Sequence, residues 1–367
     1  MRARRRIFIV SLCVLLFIAA VGAVVLLRKQ AAPEAARLLP NADAILYVDF
    51  GTVRNLTALD QQPLPKLAPG YDEFVHDTGF SFERDLDEAA MAVHRGSARG
   101  AAHGDPRYTE ILVGHYDQIK LAQYLKQHSR SVESYRGIDV FTVPIETRTV
   151  RVALLAIDTV AISNVDDAGI VHGIIDRFKK VALPFGGPAL VRLYYGKVPL
   201  GSLLWAIAHV PAAAPASPSP NPAPQASPPQ GAPITPHVAP SFTLPGGIDI
   251  GLPGNSDVVV SLRLLTIIHA RADFYTQSEE AARNFTDQTT AFLAIFRSIQ
   301  ANAAPGPADP DVRAVIDSIK VIQKGDRAEI LATIPPSFLR KLVNEPARNA
   351  TQGQPAPAAP APAAPSK

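Results

Sequence analysis

The chain has 367 residues, of which 47% are hydrophobic and 34 are proline, and a formal net charge of +3. A single cysteine, Cys13, excludes a disulfide scaffold, and 23 glycines without a G-x-y period exclude collagen. The hydrophobic share is enough for a buried core, in one large domain or two.

Residues 7–27 (IFIVSLCVLLFIAAVGAVVLL) carry no charge. As a helix they would reach about 31 Å, the hydrocarbon thickness of a bilayer. Arg2, Arg4, Arg5 and Arg6 precede this run, and Arg28 and Lys29 follow it; the larger basic cluster stays in the cytoplasm. The expected topology is a cytoplasmic tip (1–6), a single transmembrane signal-anchor (7–27) in the inner membrane, and a bulk exported to the periplasm or extracellular side. Val21-Gly22-Ala23 supplies the small residues of a signal-peptidase site, and cleavage there is the competing reading. The apolar run continues past it and ends on a basic pair, as a stop does. Beyond Lys29 the chain holds 30 basic against 33 acidic residues. The positive charge therefore belongs to the anchor, and no nucleic-acid partner is expected.

Residues 28–210 form the first exported part, 211–245 a Pro/Ala-rich insertion or linker, 246–346 a second exported part, and 347–367 a Pro/Ala tail. The insertion contains 12 Pro and 8 Ala without a charged residue. Such sequence favours disordered, extended polyproline-like coil over a packed core.

In chain order, residues 43–50 read as a buried strand and 111–114 as another, followed by a helix over 117–127 capped by Asp117. Residues 132–144 read as a hairpin folded at Arg136-Gly137, and 150–162 as two strands turning at Asp158-Thr159. Ile170, Val171, Ile174, Ile175 and Phe178 mark an amphipathic helix with Asn164 as its N-cap. Residues 258–274 supply one long strand or two. Ser278 caps a helix whose Phe285, Phe292, Ile295, Phe296 and Ile299 share a face, then a hairpin turns at Lys324-Gly325-Asp326, and 338–343 make a last helical turn. The expected class is α+β: largely antiparallel sheet or sheets with helices packed on one face, preceded by the transmembrane helix and interrupted by the Pro/Ala-rich insertion. If 202–210 pairs with 258–265, both exported parts form one body. The Asn164 and Ser278 helices, each between strands, suggest two copies of a strand–helix–hairpin module.

The opening Leu38-Leu39-Pro40-Asn41-Ala42-Asp43-Ala44 running into Tyr47-Val48-Asp49 resembles a set of N-terminally membrane-anchored bacterial envelope proteins of unknown function. The strand Val259-Val260-Ser261-Leu262-Arg263-Leu264 and the helix opening Glu279-Glu280-Ala281-Ala282 are similar to the same set. The resemblance implies an exported α+β body and no activity, ligand or catalytic residue.

G-x-x-x-x-G-K-[ST], G-x-G-x-x-G, G-x-S-x-G and H-E-x-x-H are absent, so no cofactor is expected. His172 and Asp176 lie on the polar side of their helix and read as a solvated surface pair. Asp117 reads as a cap and His115 as a strand end. Glu83, Asp85, Asp87 and Glu88 lack the calcium-loop pattern and read as a solvated face, so no metal site is expected. His269, Arg271 and Asp273 alternate on one side of a strand, as in a half-solvated sheet, with an anion-binding or acid-base row as the alternative. The sequence thus favours a non-catalytic binding or scaffolding module, tethered to the membrane and meeting an envelope protein partner. The alternatives are a carrier or sensor of an apolar ligand, motivated by Phe285, Phe292 and Phe296, and an enzyme whose site is assembled from distant residues.

Overall fold

The computed structural model describes residues 31–57, 70–95, 107–145, 148–180, 186–212, 241–244, 248–302, 310–335 and 337–338. The anchor reading, with Arg2, Arg4, Arg5, Arg6, Arg28 and Lys29, and the tail lie outside these residues. Among the described residues no helix is long and apolar enough to cross a membrane.

The chain is α+β and built on one antiparallel sheet of twelve strands. The first half opens with helix α1 (Glu34–Leu38), strand β1 (Ala44–Asp49) and helices α2 (Phe50–Thr57), α3 (Tyr71–Thr78) and α4 (Phe82–Asp85). Strands β2 (Leu86–His94) and β3 (Arg107–Gly114), helix α5 (Gln118–His128) and strands β4 (Ser131–Tyr135), β5 (Ile138–Ile145), β6 (Arg148–Ala156) and β7 (Thr159–Ser163) follow. Helices α6 (Gly169–Lys180) and α7 (Ala189–Tyr194) then lead into β8 (Ser202–Val210).

A separate hairpin, β9 (Ser241–Leu244) with β10 (Ile248–Gly251), precedes β11 (Ser256–Leu264) and β12 (Ile268–Tyr275). The chain closes with α8 (Glu279–Asn302), α9 (Pro310–Ser318), β13 (Lys320–Lys324) and β14 (Arg327–Ile334). The hairpin corrects the expectation of coil throughout 211–245: Ser241–Leu244 pairs in register with Ile248–Gly251.

The strand order is β13-β14-β12-β11-β8-β1-β2-β3-β7-β6-β5-β4. At its centre β1 and β8 run antiparallel, with Ile45 opposite Ile207 and Tyr47 opposite Trp205. The pairing of 202–210 with the strand beyond the Pro-rich stretch is present, Val259 lying opposite Ile207. Both halves follow one plan outward from this centre. A three-strand meander (β1-β2-β3 or β8-β11-β12) leads to a helix (α5 or α8), and the chain returns from the sheet edge so that β7 pairs β3 and β14 pairs β12. The corresponding helices are therefore α5 and α8. The expected match of α6 with α8 is wrong, because α6 follows the return strands.

Helices cover both sheet faces, which corrects the expectation of one. Side chains alternate across a strand, and β6 shows the result. Ala153 and Leu155 join a core with Val171, Ile174 and Ile175 of α6, whereas Val150 and Val152 join Leu121 and Leu125 of α5. The first face also carries α1 and α7 over Ile45, Tyr47, Trp205 and Val259. The second carries α3, α5 and, further along, α8, whose Phe285 packs on Val258, Phe274 and Ala328. Strands apolar on both sides are what a sheet between two helix layers requires.

Local details explain several differences from the sequence reading. Helix α6 begins at Gly169, where Asp167 Oδ1 accepts from the Gly169 amide at 2.8 Å; Asn164 is buried instead and accepts from the Tyr108 amide. The buried stripe of α8 is Ala282, Phe285, Thr289 and Leu293, and Ile295 is 60% exposed. A small residue and a hydroxyl that bonds its own helix carbonyl take positions that a search for large side chains passes over. The Asp117 cap accepts from the Ile119 and Lys120 amides, and Arg136 and Gly137 both have positive φ, as a two-residue hairpin turn demands.

Trp205 is 1% exposed, stacks on Tyr47 with ring centroids 5.5 Å apart and meets Tyr195 edge-on. Trp205→Ala is expected to lower the unfolding free energy by about 3–5 kcal/mol, the range for truncating a buried aromatic. Urea unfolding followed by tyrosine fluorescence or far-UV circular dichroism measures it; a loss under 1 kcal/mol would show that the β8 centre does not hold the two halves together.

Candidate functional site: an apolar cavity beneath helices α3 and α5

On the second face, α3 and α5 roof strands β5, β6 and β7 without filling the space between. A cavity of about 510 Å³ results, within the range of roughly 300–1,000 Å³ typical of small-molecule sites. Its floor is Val143, Val150, Val152, Val160 and Ile162, and Leu121 and Leu125 descend from α5. An aromatic wall comes from distant segments. Phe80 stacks on Tyr116 at 4.5 Å, Phe74 meets Tyr124 edge-on at 5.4 Å, and Phe74 stacks on Phe82 at 6.0 Å. At the rim Ile145 is 52% exposed and Phe82 37% exposed.

Three lining side chains carry polar groups: Tyr116, Tyr124 and His128. The Tyr116 hydroxyl is buried with no hydrogen-bond partner among the described residues. Burial, reinforced by the charges of Asp87 and Asp158, pushes the phenol well above its ordinary pKa, so it remains a neutral donor. A buried donor without an acceptor costs about 1–3 kcal/mol, and this one lies against space large enough for an acceptor. The His128 ring lies tilted against Tyr124, centroids 4.2 Å apart, and its Nδ1 pairs with the Tyr124 carbonyl at 2.8 Å. No carboxylate lines the cavity. Beside it, Glu110 stands opposite Ile162 on β7, and burial raises its carboxyl pKa with no opposing partner.

The residues singled out from the sequence fall elsewhere. His172 stacks on Tyr135 at 4.0 Å and lies 3.2 Å from Glu133, while Asp176 pairs with Arg136; together they clamp α6 to the β4–β5 hairpin rather than facing solvent. His115 lies 3.2 Å from Asp87 at the exposed end of β3. Glu83, Asp85, Asp87 and Glu88 do not converge. Glu83 accepts from Tyr71 and Ser81, Asp85 pairs with Arg84 and Asp87 with Arg54, and burial pushes the Glu88 carboxyl up against the opposing effect of a Tyr47 hydrogen bond. Among the described residues no three His, Cys, Asp or Glu side chains gather as a metal site. The row containing His269, Arg271 and Asp273 is not simply half-solvated: Asp273 is 1% and Glu329 3% exposed, and Arg271 bridges them. The cavity itself escaped the sequence reading because its aromatics are spread from Phe74 to Tyr124. Its one local signal was β6, where Val152, Ala153, Leu154 and Leu155 leave neither face polar.

No protein-family model matches the chain, and no curated protein matches it in sequence. Solved structures of a protein named TP0453 are distantly similar. Its crystal form IV aligns with a TM-score of 0.42 at 10% identity, covering 86% of this chain and 99% of that one. Crystal form III gives 0.41 at 10% over the same shares, and crystal form I 0.38 at 12%, covering 86% and 98%.

Two substitutions test the site's energetics. Tyr116→Phe removes an unpartnered donor and is expected to leave the unfolding free energy unchanged or higher, by up to about 1 kcal/mol; a loss above 1 kcal/mol would mean that the hydroxyl has a partner. Because the folded-state pKa of Glu110 is raised, its stabilising share is fully present at low pH and is lost as pH rises through that pKa. Glu110→Gln is thus expected to unfold at higher denaturant at pH 7, with the gain shrinking as pH falls into the carboxylate range; denaturation midpoints across pH 3–8 check the sign.

Proposed function

We propose that the protein is a membrane-anchored, exported binding module whose ligand is an apolar chain, such as an acyl or isoprenoid chain, held beneath α3 and α5. The observation that carries this reading is the lining itself: a sizeable apolar cavity with a single unpartnered buried donor, Tyr116. Apolar walls supply affinity through roughly 25 cal/mol per Å² of buried apolar surface, and one placed polar group sets orientation. The polar end of the ligand accepts from the Tyr116 hydroxyl, and its chain runs over the valine floor toward Ile145. A lining with two phenols and one imidazole but no carboxylate favours binding over catalysis. The cavity likewise favours the apolar-ligand reading over a purely protein-docking scaffold.

The membrane tether in this reading rests on sequence: the uncharged run 7–27, with Arg2, Arg4, Arg5 and Arg6 before it and Arg28 and Lys29 after it. It places the folded part beside a source of apolar chains. The resemblance to anchored envelope proteins supports the same location.

The test is photo-crosslinking of a diazirine-bearing palmitate to the full chain held in phosphatidylcholine nanodiscs, with adducts mapped by peptide mass spectrometry. Adducts are expected on α5 and on β5, β6 and β7, and Ile145→Asp at the exposed rim is expected to reduce them several-fold. Adducts confined to residues 7–27, or insensitive to Ile145→Asp, would overturn the assignment.

A further inference from the structure

A second concavity, of about 340 Å³, lies on the opposite sheet face. There the helix-covered core takes in Val259 of β11 and Tyr275 of β12, and further along these strands and on β14 polar side chains follow. Register sets the arrangement. Arg263 stands opposite His269, and His269 opposite Thr333; two residues along, Ser261 faces Arg271, Arg271 faces Leu331, and Leu331 faces Lys320. Residues two apart on a strand share a face, and directly opposed Cβ atoms lie about 4.5–5.5 Å apart. Arg263, His269, Arg271 and Lys320 therefore line one pocket, together with the hydroxyls of Ser261 and Thr333.

The charges in this patch do not balance internally. Asp273 and Glu329 lie one row further along, buried, and are shared among Arg271, Arg327 and Lys324. They fix the Arg271 guanidinium in place, and they do not line the pocket. Among the described residues the side chains of Arg263, His269 and Lys320 make neither hydrogen bond nor ion pair, and no carboxylate lines the pocket. Uncompensated like charges gathered in a concavity repel, more strongly than on open surface because solvent screens them less. They do so in an exported part that carries more acidic than basic residues, so an overall basic surface does not account for them. Plain solvation would be satisfied by dispersing these cations.

We propose that this pocket is an anion site for a phosphate group. Arg263, Arg271 and Lys320 donate to its oxygens, and Ser261, Thr333 and His269 add further hydrogen bonds. Arg271 is the pre-oriented member: its Nε and Nη2 donate to Asp273, Nε also lies 3.1 Å from Glu329, and Nη1 remains for the anion. The site lies on the other sheet face from the apolar cavity and stands independently of that ligand. A free phosphate and the phosphomonoester of a lipid headgroup offer the same chemistry.

The experiment is isothermal titration of the full chain in nonionic detergent with inorganic phosphate and, separately, with glycerol 3-phosphate. Three proteins are compared: wild type, Arg263→Gln with Lys320→Gln, and Lys179→Gln with Arg192→Gln, which makes the same charge change on remote exposed positions. Saturable binding of either probe to wild type is expected, weakened at least tenfold in the pocket variant and less than twofold in the remote one. Tighter binding of inorganic phosphate identifies a free anion as the natural occupant; tighter binding of glycerol 3-phosphate identifies a headgroup. The proposal is overturned if neither probe saturates, or if both variants weaken binding equally. Unfolding midpoints of the three proteins without ligand, expected to agree within about 2 °C, separate lost binding from lost folding.

Discussion

Everything in this structure hangs on the antiparallel contact between β1 and β8. Each is the first strand of its own meander, and each has its second strand on the side away from the other, so this single pairing joins seven strands to five. It is reinforced where Tyr47 stacks on Trp205 and Ile45 meets Ile207. Aromatic cross-strand pairs contribute up to about 1 kcal/mol beyond area burial. The larger effect here is burial: both rings lie under α1 and α7, so the seam is a core and not an edge. The opening Leu38-Leu39-Pro40-Asn41 secures that roof. Leu38 and Leu39 are fully buried, Arg177 of α6 donates to the Leu38 carbonyl, and the Asn41 side chain accepts from the first amide of α7.

The two sheet faces then take different roles as a consequence of helix length and placement. On the face with α1, α6 and α7, short helices seal the seam and the first half, and over the second half α7 reaches as far as Tyr275 of β12, through the ring of Tyr194. Beyond Tyr275 the buried carboxylates of β12 and β14, Asp273 and Glu329, are paired with Arg271, Arg327 and Lys324. Burial alone would raise the Glu329 carboxyl, but the Lys324 hydrogen bond and Arg271 outweigh it and hold it below the ordinary range. On the other face α8 spans 24 residues and seats Phe285 directly on the sheet. Its counterparts α3 and α5 have 8 and 11 residues and meet through aromatic edges, which hold them off the valine floor. The same topological plan thus seats a long helix on the sheet in one half and leaves a cavity beneath two short ones in the other.

Much of the strand content was legible because its signals are local. Arg136-Gly137 and Gly325-Asp326 name their turns, Asp117 and Ser278 name their helix starts, and 43–50 is a short apolar run. Strand β2 was not legible: Leu86–His94 opens with acids and continues with three alanines, poor strand formers that are tolerated because Ala90 and Ala92 sit under α1, where larger side chains would not fit. Helix placement on both faces was hidden for a related reason. A strand buried on both sides loses its polar–apolar alternation, and β6 keeps one outward arginine, Arg151, that reads as a solvated face. That arginine in fact donates to the Val165 carbonyl. The two candidate sites differ in the same way. The basic pocket uses neighbouring positions on paired strands, so half of it, His269 with Arg271, was visible in one segment. The apolar cavity draws its walls from elements that only tertiary packing brings together.

The sheet also explains why so much proline is tolerated in mid-chain. Val210 at the end of β8 lies directly opposite Ser256 at the start of β11, so the chain leaves and re-enters the sheet at adjacent points about 4.8 Å apart. A connection between such points closes a loop whatever its length, and each doubling of that length costs only about 0.6 kcal/mol. Proline there breaks no ladder, since the strands it would disrupt end before it begins. The hairpin β9–β10 needs no place in the main sheet for the same reason. Had β8 and β11 been distant or parallel, the intervening chain would have had to cross the body, and its sequence would have had to pay for burial with apolar side chains. Strand order thus permits the Pro/Ala composition of residues 211–240.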